Sequence, residues 1–135
     1  MFMLAQKHVA SGSETLCDLD LTTITADELL SISAEFKLSA MGSRRVNCLV
    51  CWFDVMFPGD VTLSTSPHME DTHWQNTVLP LNDHLVKQDT VLNGHITIAQ
   101  HKKRSLDISL QYSIDNGKQS TRRYRLDENC SELVA

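Results

Sequence analysis

Glycine is scarce in this sequence, 5 in 135 residues, and none stands in the Gly-x-Gly-x-x-Gly or Gly-x4-Gly-Lys-Ser/Thr spacing that cradles a dinucleotide or a triphosphate. That argues against a self-contained nucleotide-using enzyme. Positive charge is also in deficit. Lys and Arg number 12 against 17 Asp and Glu, a formal charge of −5, the wrong sign for a protein that wraps a nucleic-acid backbone and better suited to a basic protein partner. Long apolar runs are missing: nothing approaches the ~18 residues of a membrane span, and residues 1–7 have too short an apolar run and no leading charge for a signal peptide or anchor. The four cysteines, Cys17, Cys48, Cys51 and Cys130, therefore read as reduced thiols of the cytosol or nucleus. The chain does have enough hydrophobic residues, 41%, to bury the core of one ordinary domain.

Apolar residues recur at every second position. Leu30, Ile32, Ala34, Phe36 and Leu38 alternate with Ser31, Ser33, Glu35, Lys37 and Ser39, and the same pattern links Leu106, Ile108, Leu110, Tyr112 and Ile114. Each reads as a strand with one face buried and one wet. Shorter alternations at Cys17, Leu19, Leu21 and at Ile96, Ile98 add two more strands. The run 46–57 is apolar almost throughout, which predicts a central strand covered on both faces. Pro58, Gly59 and Asp60 break it, a new strand starts at Val61, and Asn116-Gly117 marks a hairpin turn tolerant of positive φ. Thr25 and Glu28 form a capping-box pair able to start one helical turn. The expected fold class is all-β, an antiparallel β-barrel or sandwich.

Two charge segments stand out: 14–35 holds Glu14, Asp18, Asp20, Asp27, Glu28 and Glu35 with no Lys or Arg, and 102–125 is rich in Lys and Arg. They read either as an acidic and a basic surface or as solvated faces whose charges pair across neighbouring strands. Cys48-x-x-Cys51 has the spacing of a redox pair or half a zinc site, but on a strand positions three apart face opposite ways, and no second such pair completes a ligand set. They read as buried apolar thiols. His68 and His73, with Glu70 and Asp71 between them, lack a third His or Cys at ligand spacing, and no metal site is assigned. A Ser-His-Asp triad from Ser64 or Ser66 and His73 lacks a nucleophile elbow. What remains is the loop 64–78, where Pro67 sets a bend and His73-Trp74 stands just before the next strand. A titratable ring beside a large aromatic suits cation binding or proton handling. The alternative is that Trp74 caps the core and His73 is simply exposed.

Leu63-Ser64-Thr65-Ser66-Pro67, then Thr72-His73-Trp74, then Gln75-x-Thr77-Val78, resembles the "THW loop" region of the protein arginine N-methyltransferases. Trp52-Phe53-Asp54-Val55-x-Phe57, Gly94-x-Ile96 and Arg104-Ser105-Leu106-Asp107-Ile108 resemble strands on either side of it. The resemblance runs over 14–127, taken as the β-barrel domain with its loop at 64–78, leaving 1–13 and 128–135 as tails. It implies the family's C-terminal β-barrel without the Rossmann-like domain that holds S-adenosylmethionine, without the "double-E" loop for the guanidinium, and without the dimerisation arm. It further implies that His73 pairs with an acid on the absent domain, that Trp74 lines the arginine pocket and that Thr72 shapes the loop. The Thr-His-Trp form favours the type I activity, which gives monomethyl and asymmetric dimethyl arginine.

On this resemblance the expected partners are the chain's own Rossmann-like domain, arginine-containing proteins such as histones or Arg/Gly-rich substrates, and a second copy in a homodimer. Nucleic acid and membrane are not expected. By itself the barrel is expected to bind no cofactor and to be inactive. Two other readings stand beside this one: a non-catalytic module that binds basic proteins through its acidic face, and a β-sandwich for a neutral ligand, which would need exposed aromatics.

Overall fold

The computed structural model describes residues 8–133; the expectation about residues 1–7 lies outside them. Among the described residues the chain forms β1 (Ser31–Ser39), β2 (Arg44–Cys51), β3 (Asp54–Phe57), β4 (Val61–Ser64), β5 (Thr77–Val86), β6 (Val91–Lys102), β7 (Ser105–Ile114), β8 (Ser120–Leu126) and β9 (Cys130–Glu132), with no α-helix. A five-stranded sheet runs β1-β6-β7-β8-β9, a ribbon pairs β2 with β5, and a hairpin pairs β3 with β4, every pairing antiparallel. The all-β antiparallel architecture expected from the alternation is the one observed.

The alternation chooses the faces. On β7, Ile108, Leu110 and Tyr112 are buried, and on β1 Phe36 is buried with Ile32, Ala34 and Leu38 half-buried on the same side. These join Leu79 and Leu81 of β5, Leu92 and Ile96 of β6, and Tyr124 of β8 in one core. Two tyrosines tie the ribbon to the large sheet. The Tyr124 hydroxyl donates to the Pro80 carbonyl at 2.5 Å, and the Tyr112 hydroxyl lies 2.9 Å from Nε2 of His84. Both donors and acceptors on the ribbon side belong to β5, so the ribbon is fixed at two points along one strand.

Gly94 matters for space, not for torsion. It is register partner to Phe36 on one side and to Tyr112 on the other. A Cβ at this position would sit inside the van der Waals envelope of the Phe36 ring. The β7–β8 turn is set differently from the expected Asn-Gly pattern. Asp115 (φ 48) and Asn116 (φ 56) take the left-handed conformations, and Gly117 N–H closes the turn on the Ile114 carbonyl at 2.9 Å, within the longer connection 115–119.

Three expectations change. The alternation at Cys17, Leu19 and Leu21 does not make a strand: the segment is irregular, and Leu21 is 75% exposed. Its neighbourhood serves the edge of β1 instead, with Leu16 packed on the core and the Glu14 carboxylate accepting the Lys37 N–H at 2.6 Å. The apolar run 46–57 is not one central strand but two, β2 and β3, separated by Trp52 and Phe53, with Met56 and Phe57 exposed. Continuous apolarity marks a surface to be covered as well as a buried strand, and periodicity does not separate the two. At Thr25 the capping box forms in both directions, Thr25 N–H to Glu28 Oε2 at 2.8 Å and Glu28 N–H to Thr25 Oγ1 at 3.3 Å, but it closes a turn that strand β1 follows directly, not a helix. Within 128–135, β9 extends the large sheet beside β8.

Gly94→Ala is expected to destabilise the chain by about 1–3 kcal/mol through overpacking, and Phe36→Leu in that background to recover part of the loss, both read by urea denaturation. Burial pushes the Tyr124 phenol up to about 12, against ~10 when unfolded. The stability it contributes is therefore complete below pH ~10 and lost as pH rises towards the folded value. Urea midpoints between pH 9 and pH 11 should fall more steeply in the native chain than in Tyr124→Phe.

Candidate functional site: the 65–76 loop

The loop leaves β4 and enters β5, and short polar side chains pin its start. Ser64 Oγ donates to Asp54 Oδ1 at 2.5 Å, across the β3–β4 ladder where those residues are partners. The Ser66 N–H donates back to Ser64 Oγ (3.2 Å), the His68 N–H to Ser66 Oγ (3.2 Å) and the Met69 N–H to the Ser66 carbonyl (3.1 Å). Such hydroxyl turns around Pro67 replace the ladder as the chain bends away. Thr65, between the two serines, is buried at 5% exposure, and its hydroxyl bonds both the N–H (3.1 Å) and the carbonyl (2.9 Å) of Phe53. At the far end Asn76 Nδ2 donates to the Thr65 carbonyl at 2.7 Å.

Thr72 folds the tip. Its hydroxyl accepts from the Trp74 N–H at 3.2 Å and donates to the Trp74 carbonyl at 3.1 Å, holding His73 at the apex of a small turn. The His73 ring lies against the indole of Trp74, with centroids 4.0 Å apart and planes tilted by 34°. Phe53 also meets the indole edge-on, with centroids 6.1 Å apart. His73 is exposed and Trp74 is 45% exposed, so Trp74 does not cap the core. The loop presents a titratable imidazole and an indole face to solvent, side by side, on a base fastened to the barrel. Geometrically that arrangement can receive a flat cation and hold a proton beside it.

The other candidates do not assemble. Among the described residues no group of three or more His, Cys, Asp or Glu could hold a metal ion, so His68, His73, Glu70 and Asp71 do not converge. Burial raises the Cys48 thiol and pushes Cys51, helped by neighbouring Cys130, up to about 11, which leaves neither as a thiolate near neutrality. The charged segments turn out to be structural in several places. Asp107 is register partner to Arg125 and accepts its Nε–H at 2.9 Å, with His101 Nδ1 at 3.5 Å, and the Arg125 hydrogen bond holds its carboxyl below the usual range. Arg122 bridges Glu132 on β9 and Asn82 on β5. Asp20 and Glu28 bond hydroxyls and N–H groups of their own turns.

Sequence reasoning missed Phe53, Thr65 and Asn76 as parts of the site. Thr65 and Phe53 lay within the quoted motifs, yet nothing in the sequence marks one hydroxyl as bonding both main-chain groups of the other residue. Asn76 fell at the unspecified position between Gln75 and Thr77.

Residues 2–118 match the family described as "Arginine methyltransferase oligomerization subdomain". The chain is 35% identical over 129 residues to protein arginine N-methyltransferase 6 of Xenopus tropicalis, covering 92% of this chain and 38% of that protein. It is 30% identical over 132 residues to protein arginine N-methyltransferase 1 of Saccharomyces cerevisiae, covering 91% of this chain and 38% of that protein. It thus spans well under half the length of these relatives. Among solved structures, the Trypanosoma brucei PRMT1 enzyme-prozyme heterotetrameric complex with AdoHcy contains a chain of like fold, with a TM-score of 0.85 at 24% identity over 93% of this chain and 42% of that one.

The burial pattern makes a thiol prediction. At pH 8 a disulfide reagent should label exposed Cys17 fast and Cys51 only after denaturation; labelling of Cys51 at the rate of Cys17 in the native chain would contradict the packing described.

Proposed function

The chain belongs to the arginine methyltransferase family, and from that premise we propose that it is the substrate-side C-terminal barrel of a type I, S-adenosylmethionine-dependent protein arginine N-methyltransferase. The observation that carries the reading is the His73–Trp74 pair, stacked at 4.0 Å and offered to solvent on a loop laced to the barrel.

The chemistry asks for such a pair. A guanidinium is protonated at neutral pH and is a poor nucleophile, so one terminal nitrogen must be oriented, its charge localised and a proton handled. Trp74 offers the guanidinium a π-face worth ~0.5–2 kcal/mol. His73, beside it, pairs with an acidic group on the catalytic part of the protein and braces the pocket or carries the proton. Thr72 fixes the turn that sets the two rings together. The donor belongs to the catalytic part, and this chain alone is inactive.

The same reading supplies a partner for the exposed apolar surface. Phe53, Met56, Phe57, Val61 and Trp74 are all exposed: Phe57 and Val61 are register partners on one face of the β3–β4 hairpin, Met56 lies on the other face, and Phe53 meets the Trp74 indole. A patch of this kind marks an interface, and the proposed occupant is the Rossmann-like part of the same enzyme. The matched family is described as an oligomerization subdomain, and the Trypanosoma brucei neighbour is a heterotetramer; a homodimer fits that pattern. Substrates are arginine-bearing proteins, Arg/Gly-rich tails and histones among them, and the compartment is the cytosol or nucleus, where the thiols stay reduced.

The test joins this barrel to its cognate catalytic part and follows methyl transfer to an arginine-rich peptide. His73→Ala is expected to lower kcat by about 100-fold or more. Trp74→Ala is expected to raise KM by about 2- to 30-fold, the cation–π range expressed as a ratio. Unaltered turnover in His73→Ala overturns the role given to His73.

A further inference from the structure

The β3–β4 ladder ends irregularly. Continued past the Asp54–Ser64 pair, an antiparallel ladder would join Phe53 and Thr65 by two main-chain bonds. Only one forms, from the Thr65 N–H to the Phe53 carbonyl at 3.1 Å. The Phe53 N–H goes instead to Thr65 Oγ1 at 3.1 Å, and that hydroxyl donates its own proton to the Phe53 carbonyl at 2.9 Å. The side chain has taken the place of its own carbonyl. The carbonyl so released accepts Asn76 Nδ2 at 2.7 Å, which closes the base of the loop.

We infer that Thr65 and Asn76 are positioning residues for His73 and Trp74: the Thr65 hydroxyl displaces its own carbonyl from the ladder so that Asn76 can lock the two ends of the loop together. Two paths lead from this lock to the ring pair. One is covalent, because Asn76 stands two residues after Trp74 and fixes where the chain re-enters β5 at Thr77. The other is by contact, because Phe53, held at both main-chain groups by Thr65, lies edge-on to the Trp74 indole at 6.1 Å. Thr65 is buried and Asn76 half-buried, while the rings they set are exposed, so solvent competes less for the lock's hydrogen bonds than for the rings. Its catalytic consequence rests on the function proposed above; its structural part does not.

The test on the full chain is the NMR shift of the His73 ring protons, which the indole ring current moves upfield in the stacked geometry. Thr65→Val keeps shape and removes the hydroxyl, so the Phe53 N–H turns to the Thr65 carbonyl and pulls it back towards the ladder, away from Asn76 Nδ2. Asn76→Asp removes the donor and sets a carboxylate against that carbonyl. Both should lose the upfield shift, and Thr65→Ser should keep it. Ile108→Val, a core change on β7 that lowers stability by cavity formation, should also keep it, which separates positioning from general weakening. An unchanged shift in both Thr65→Val and Asn76→Asp, or its loss in Thr65→Ser, overturns the inference.

In the complete enzyme Thr65→Val and Asn76→Asp should each lower kcat/KM by roughly 10- to 100-fold, the cost of a misplaced group, with Thr65→Ser restoring it. Full activity in both alongside an inactive His73→Ala would overturn the positioning role and leave the proposed function standing. Full activity in His73→Ala would overturn the role given to His73 and leave the shift measurements to decide the lock.

Discussion

A buried phenol that must find a partner organises this domain. Tyr124 has no exposed surface, and an unpaired hydroxyl there would cost about 1–3 kcal/mol. Its partner is the carbonyl of Pro80, on a different sheet. Proline brings no N–H to a ladder and is tolerated where pairing is interrupted. Opposite Pro80 the register of β2 shifts between Val46 and Cys48. The irregularity in the ribbon and the hydrogen bond to the large sheet thus occur at one place, and Tyr112 makes the second tie to the same strand at His84. β5 begins at Thr77, directly after the loop. Fixing β5 therefore fixes where the loop returns to the barrel, so two tyrosines of the core contribute to where His73 and Trp74 are presented.

The parts of the fold that could be read from the sequence are those where one face is dry and the other wet. Phe36 and Glu35, or Tyr112 and Gln111, sit next to each other in sequence and on opposite faces of the sheet, and alternation reports that directly. The run 46–57 could not be read the same way. Val55 is half-buried, Met56 and Phe57 are exposed, and all three are apolar, so composition alone does not tell which of them the fold buries. Leu19 and Leu21 misled for the opposite reason: two alternating leucines without cross-strand partners make no strand, and pairing is not written in local spacing.

The candidate site divides in the same manner. Thr72, His73 and Trp74 were visible because their residue types carry chemistry and their order matches a family motif. Their support was invisible because it uses ordinary residues in a tertiary arrangement. Thr65 at a strand end is what β propensity alone would select, and only the structure shows its hydroxyl doing the work of a main-chain acceptor. The charges divide likewise. A count by segment gives an acidic stretch and a basic stretch, yet Asp107 with Arg125 and Arg122 with Glu132 are cross-strand pairs, and Glu14 blunts an edge strand by taking the Lys37 N–H. Both ion pairs neutralise part of the basic stretch, one from within it and one from β9, so that stretch is less basic as a surface than as a count along the chain.

Phe53 belongs to two structures at once. It is the residue that Thr65 grips by both main-chain groups, and it is part of the exposed apolar surface with Met56, Phe57 and Val61. In the proposed assembly the surface that is covered and the loop that is presented therefore share a residue, and docking cannot move one without the other. A loop that had to be ordered on docking would lose conformational freedom at that step and weaken association by as much. A loop already laced at Thr65 and Asn76 loses little, so the contact energy of Phe53 and Trp74 remains available for holding the two parts together. In that assembly the lacing of the loop at Thr65 and Asn76 and the apolarity of the hairpin are two aspects of one arrangement, suited to completing the site proposed above.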